Sequence, residues 1–140
     1  MNTEIENYIT DLVSHYQGIK EIWLIGSRAN GIARSNSDWD FIVFANTKTL
    51  LNMKKDSPIH AEAVDLLLVF NAKGEFCKPW GSKKSGNLYS RDWEWRRISD
   101  SLAEYKSVKW VQAYEAKDKS SLSTGQIVVK RLQAEKVWPK

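Results

Sequence analysis

Cysteine is nearly absent: Cys77 is the one thiol in 140 residues, so no internal disulfide can form and no cysteine-built metal site is available. That scarcity suits the cytoplasm. Histidine is almost as scarce, and His15 and His60 stand alone without metal-ligand spacing, so a surface or capping role is expected of both. No apolar run reaches membrane-spanning length, and the opening "MNTEIENY" has neither the basic start nor the apolar stretch of a secretory signal. Internal repeats and low-complexity tracts are missing as well. Serine, histidine and aspartate all occur, but no nucleophile-elbow motif organises them into a hydrolase. Lone Cys77, beside Lys78 in a loop-like stretch, carries no expected role.

What remains is an ordinary globular composition, 42% apolar and 27% charged, in a chain long enough to bury a proper core. One domain over residues 1–140 is expected, with a core over 1–70 and a basic, tryptophan-rich, strand-rich extension over 71–140. The net charge of +4 is unevenly spread. Residues 1–70 hold 6 Lys/Arg against 9 Asp/Glu, whereas residues 71–140 hold 15 against 8. A basic half attracts phosphate-bearing ligands or nucleic acid, and equally serves as solubilising charge.

Residues 3–17 read as an amphipathic helix, with Ile5, Tyr8, Ile9, Leu12, Val13 and Tyr16 at helical spacing, Thr3 and Glu6 as a capping box and Gly18 as the stop. "KEIWLIGS" reads as a buried strand that stops at Gly26, "DWDFIVFA" as a second and "AEAVDLLLVF" as a third, with the short helix "TKTLLNMKK" and Pro58 between the last two. Residues 71–92 read as a long basic loop. Beyond it, "WEWRRIS", "EYKSVKWVQAYE" and "QIVVKRLQAEKVW" favour strands by alternation and β-branched content, the last with helix as an alternative. Such an order predicts an α+β fold: a mixed sheet with helices mainly on one face.

Two aspartates are lodged in the second strand, where residues i and i+2 share a face. Asp38 and Asp40 therefore project together, with Cα atoms roughly 6.5 Å apart. Asp65 is a third carboxylate in an apolar strand. If the strands of Asp40 and Asp65 are neighbours, three carboxylates meet, and oxygen-preferring divalent cations are the natural neutralisers. Paired Mg²⁺ ions can activate a hydroxyl and stabilise a leaving phosphate in an in-line displacement. The bland alternative has Asp38 capping the "SNSD" turn, Asp40 paired with an arginine and Asp65 in a buried salt bridge. Upstream, Gly26 lets the backbone approach a ligand, the following amides can cradle phosphate oxygens, and Ser27 adds a hydroxyl.

Gly26-Ser27, ten residues, then Asp38-Trp39-Asp40 resembles the GS-x10-DxD signature of the polymerase-β-like nucleotidyltransferase superfamily. The intervening "RANGIARSNS" is similar to that of its small bacterial members, and the likeness covers residues 20–70. The resemblance implies transfer of a nucleoside monophosphate, with AMP expected, from a nucleoside triphosphate such as ATP to an acceptor hydroxyl, releasing pyrophosphate. It implies Gly26 and Ser27 as the triphosphate grip, with Arg28 as an auxiliary. It further implies Asp38 and Asp40 as ligands of two Mg²⁺ or Mn²⁺ ions and Asp65 as a ligand of the catalytic one, nearest the acceptor hydroxyl. The acceptor is a protein side chain, an RNA end or a small molecule.

Rival readings follow from the same residues. One is a catalytically silent nucleotide- or RNA-binding module on this fold; another is the antitoxin of a toxin–antitoxin pair, which predicts a toxin-like protein partner. Trp93, Trp95, Trp110 and Trp138 are expected mostly in the core of the strand-rich half. Trp80 and Tyr89 are the better candidates for ligand contact, while Lys73, Lys78, Lys83, Lys84 and Arg91 are expected in solvent.

Overall fold

The computed structural model describes residues 1–59, 63–112 and 125–140, with side chains described outside 108–128. His60, the start of "AEAVDLLLVF", the Trp110 side chain and residues 113–115 of the "EYKSVKWVQAYE" segment lie outside the described residues.

Helix α1 spans Thr3–His15 and buries Ile5, Tyr8, Ile9 and Leu12. Its cap is Asn2, whose side-chain oxygen accepts from the Ile5 N–H at 2.9 Å, so the expected Thr3 box is corrected by one residue. The helix ends at Tyr16, and Gly18 serves instead as a close approach, because a Cβ there would collide with the Thr49 side chain. Strand β1 (Glu21–Ile25) runs into the four-residue helix α2 (Gly26–Ala29), followed by β2 (Trp39–Phe44). Helix α3 (Thr47–Lys55) is capped by Asn46, which accepts from the Thr49 N–H at 2.8 Å. Lys54 and Lys55 in its last turn complement the helix dipole.

Next come β3 (Val64–Val69), the short β4 (Glu75–Cys77) and β5 (Ser85–Asn87), β6 (Arg96–Arg97), and the long β7 (Leu102–Gln112) and β8 (Gly125–Trp138). The stretch expected as one long loop thus contains a small hairpin, and "QIVVKRLQAEKVW" is a strand, its helical alternative excluded by an unbroken ladder with β7.

Among the described residues, eight strands form one sheet in the order β5-β4-β3-β2-β1-β8-β7-β6. The crossover through α3 makes β2 and β3 parallel, and the other neighbours are antiparallel. The last strand therefore lies beside the first, which joins the C-terminal half to the sheet that carries the aspartates.

Alternation along β1, β2 and β3 divides the interior in two. Ile22, Leu24, Phe41, Val43, Leu66 and Leu68 share a core with α1 and α3. Trp23, Ile25, Ile42, Leu67 and Val69 belong to a second core with Phe76, Leu88, Trp95, Ala103 and Tyr105. The Trp93 ring lies 5.5 Å from Phe76 and 5.7 Å from Tyr105. In a flat sheet β4 and β7 would be roughly 24 Å apart, so the sheet curls around this aromatic cluster. Among the described residues no helix is long and apolar enough to cross a membrane.

Candidate active site

Three neighbouring strands present Ile25, Asp40 and Asp65 in one row: Ile25 pairs with Asp40, and Asp40 with Asp65. The two carboxylates share the face of Ile42 and Leu67, opposite the core that holds both longer helices. Asp38 lies one residue before β2, which begins at Trp39 rather than at the aspartate, where the Trp39 N–H donates to the Ala63 carbonyl at 2.7 Å.

Gly26 follows Ile25 with φ +74°, and a Cβ there would stand 2.5 Å from Oδ2 of Asp40. Both the left-handed backbone and the nearby carboxylate therefore demand glycine. Its N–H donates to the Tyr105 hydroxyl at 2.7 Å. That amide is thus committed inward, to Tyr105.

Asn30 completes the turn. Its Nδ2 donates to the Gly26 carbonyl at 2.7 Å and to the Gln133 carbonyl at 3.1 Å, while its Oδ1 accepts from the Gln133 N–H at 2.8 Å. Strands β7 and β8 thereby hold the turn that ends β1. Sequence reasoning missed Tyr105 and Asn30. The only available signals were an aromatic residue in a strand segment and an amide in a turn, neither of which names its partner.

Arg28, expected as an auxiliary, sits behind the loop that leads to Asp38. Its guanidinium donates to the carbonyls of Ser35 at 3.3 Å and Ser37 at 3.0 Å and lies 4.5 Å from the Trp39 ring centroid. It ties down the loop that delivers Asp38, and its Nε is buried without a partner.

The carboxylates repel one another. Burial first, then the charges of Asp65 and Asp38, push the Asp40 carboxyl up to about 6, against the lowering pull of Lys78 and Lys84. The Tyr105 hydroxyl is also raised, chiefly by burial, with Asp40 adding to the effect.

Asp65 has a partner in Lys78, whose Nζ is 2.6 Å from Oδ1, so this lysine is not the solvated loop residue expected. The bland expectation of a buried salt bridge at Asp65 is met in part, since the bridge is present but the Asp65 side chain is 42% exposed, and among the described residues Asp40 pairs with no arginine. Among the described residues no three of His, Cys, Asp and Glu are grouped as a ready-made metal site. With Asp65 drawn onto Lys78, the row brings Asp40 and Asp65 side by side without closing a three-carboxylate cage.

Trp80, expected as a candidate for ligand contact, also has a core role. It packs against the first core, and its indole N–H donates to the Met53 carbonyl at 2.7 Å. Tyr89 is 55% exposed and covers Gly74. Trp95 is buried and meets Trp23 edge-on at 5.3 Å, a core role as expected.

A tight glycine turn beside a row of strand carboxylates on a mixed sheet defines the class of an α+β protein with an acidic site at its strand ends. Comparison with family models makes it specific: the model described as Polymerase beta, Nucleotidyltransferase matches residues 7–94, and the chain belongs to that family. Comparison with curated proteins gives no match. The family implies a nucleotide substrate and nucleotidyltransferase-type chemistry.

Proposed function

We propose that the protein is a metal-dependent nucleotidyltransferase that moves AMP from ATP to an acceptor hydroxyl. The observation that carries this reading is the row Ile25–Asp40–Asp65, with Gly26 moulded around the Asp40 carboxylate. The residues fit divalent cations: the donors are hard carboxylate oxygens, and their mutual repulsion at Asp40 is relieved only in part by two lysines. Asp38 and Asp40 would hold two Mg²⁺ ions and Asp65 one of them. Bound there, the ions would neutralise phosphate charge and sharpen the acceptor as a nucleophile.

The remaining work belongs to the chain. Ser27 and the amides after Gly26 orient the triphosphate, while Tyr105 and Asn30 keep that turn rigid. Asp65, farther across the sheet, receives the acceptor. The acceptor oxygen forms a bond to the α-phosphorus, the bond from that phosphorus to the bridging oxygen breaks, pyrophosphate leaves with the electron pair, and the hydroxyl proton passes by way of Asp65 to solvent. The same reading has the sheet carry its helices mainly on one face, supported by the core that α1 and α3 share.

The Lys78–Asp65 pair favours a second reading, a nucleotide-binding module without catalysis, because it occupies the acceptor-side carboxylate. Incubation with α-labelled ATP and cell lysate separates the two. Transfer of label to an acceptor, lost in Asp65→Ala while ATP still binds, supports the enzyme. Binding without transfer under all acceptor conditions supports the module.

A further inference from the structure

A cavity of about 340 Å³ opens at the edge of β3, with Asp65 and Lys78 in its wall, Pro58 and Pro79 beside them, and Leu66 and Trp80 reaching it from the helix-side core. Among the described residues β4 pairs with β3 at Leu68 and Val69 and not at Asp65, which leaves room for the cavity at that edge. Its volume falls in the range of small-molecule sites.

Across the sheet the order is the Gly26 turn after β1, Asp40 on β2, Asp65 on β3, and then this cavity. In-line displacement requires the nucleophile to enter opposite the leaving group. Given the function proposed above, on which this inference rests, pyrophosphate departs on the β1 side and the acceptor arrives from the cavity.

The wall also says what enters. Proline and tryptophan surfaces suit a flat apolar body. Lys78 has only 16% of its side chain exposed and spends its charge on Asp65. Once Asp65 turns to the acceptor, that sheltered ammonium needs another anion.

We propose that this cavity is the acceptor subsite and takes a small hydroxylated compound whose flat apolar body carries an acidic group paired with Lys78.

Two probes share a hydroxyaryl body and differ in charge: 4-hydroxyphenylacetate and tyramine. Each is titrated into the protein with Mg²⁺ and a non-hydrolysable ATP analogue, after binding of the analogue itself has been measured by calorimetry. The indole N–H signal of Trp80, assigned through Trp80→Phe, reports the cavity. The acid is expected to move that signal and to bind about tenfold tighter than the amine, the worth of one partly sheltered ion pair. Lys78→Met should erase the preference and Lys78→Arg should keep it, which separates lost charge from lost folding. Equal or tighter amine binding, a preference that survives Lys78→Met, or a bound analogue with a silent Trp80 signal overturns the subsite and leaves the proposed function standing. An analogue that does not bind overturns both.

Discussion

The two cores on either side of the central strands are built from the same three segments of chain yet differ in kind. Where α1 and α3 pack, the strands contribute Ile22, Leu24, Phe41, Val43, Leu66 and Leu68, an aliphatic surface with one phenylalanine. On the other side the same strands contribute Trp23, Ile25, Ile42 and Leu67, met by Trp95, Phe76 and Tyr105, with Asp40 and Asp65 in the same row of side chains. The first core takes only apolar side chains from these strands. The second places charge at its end and uses Tyr105 to reach from core to candidate site, so packing and the site are coupled there.

That difference breaks most visibly at Trp23, which is fully buried in the second core. Trp23→Ala is expected to cost about 3–5 kcal/mol, read as a drop in the urea midpoint, with weakened nucleotide binding because Trp95 and Tyr105 lose their support. Leu12→Ala, in the helix-side core, should cost about 2–5 kcal/mol yet leave the nucleotide dissociation constant of the folded protein unchanged. Equal effects of the two on binding would abolish the distinction.

Asp40→Asn should act in the opposite direction. Burial and the neighbouring carboxylates raise the Asp40 carboxyl from 3.8 to about 6. Between those values the folded state holds a proton that the unfolded state releases, so wild-type stability falls as pH rises through that window. The asparagine variant lacks this slope and should be more stable than wild type near neutral pH by on the order of 2 kcal/mol in the absence of metal, while losing nucleotidyl transfer. Urea unfolding on both sides of the window checks it.

Tyr105→Phe sharpens the comparison further. It strips the half-buried Gly26 N–H of its acceptor and should cost about 1–2 kcal/mol, with a raised KM for ATP as the turn loosens. The smallest effect is expected at Arg96, which pairs with Glu104 at 2.8 Å on the exposed edge. Arg96→Ala should cost about 0.5 kcal/mol or less and shift neither KM nor kcat.

The central strands were legible because each is a short apolar run interrupted by residues that such a run ordinarily avoids. Asp38, Asp40 and Asp65 announced themselves by their surroundings, and Gly26-Ser27 by its distance from them. The adjacency of Asp40 and Asp65 could be stated only as a condition, since periodicity fixes which face a side chain takes and says nothing of which strand lies beside it. The same blindness hid β8, which pairs with β1 across almost the whole chain, and the Tyr105–Gly26 bond spanning 79 positions.

Lys78 looked like one of several loop lysines. Its salt bridge depends on how the β4–β5 hairpin folds back over the β3 edge, and three-residue strands leave little periodic trace. The helix cap moved by one residue because Asn2 and Thr3 are both good capping residues and only the backbone decides between them.

The carboxylate row as a metal-assisted grip on a nucleoside triphosphate is tested most directly by calorimetric titration of ATP into wild type, Asp38→Asn and Asp40→Asn, each with Mg²⁺ and with chelator. Saturable binding that requires Mg²⁺ in wild type and is lost in both variants is the predicted result. Binding of equal strength with chelator, or undiminished in Asp40→Asn, contradicts it.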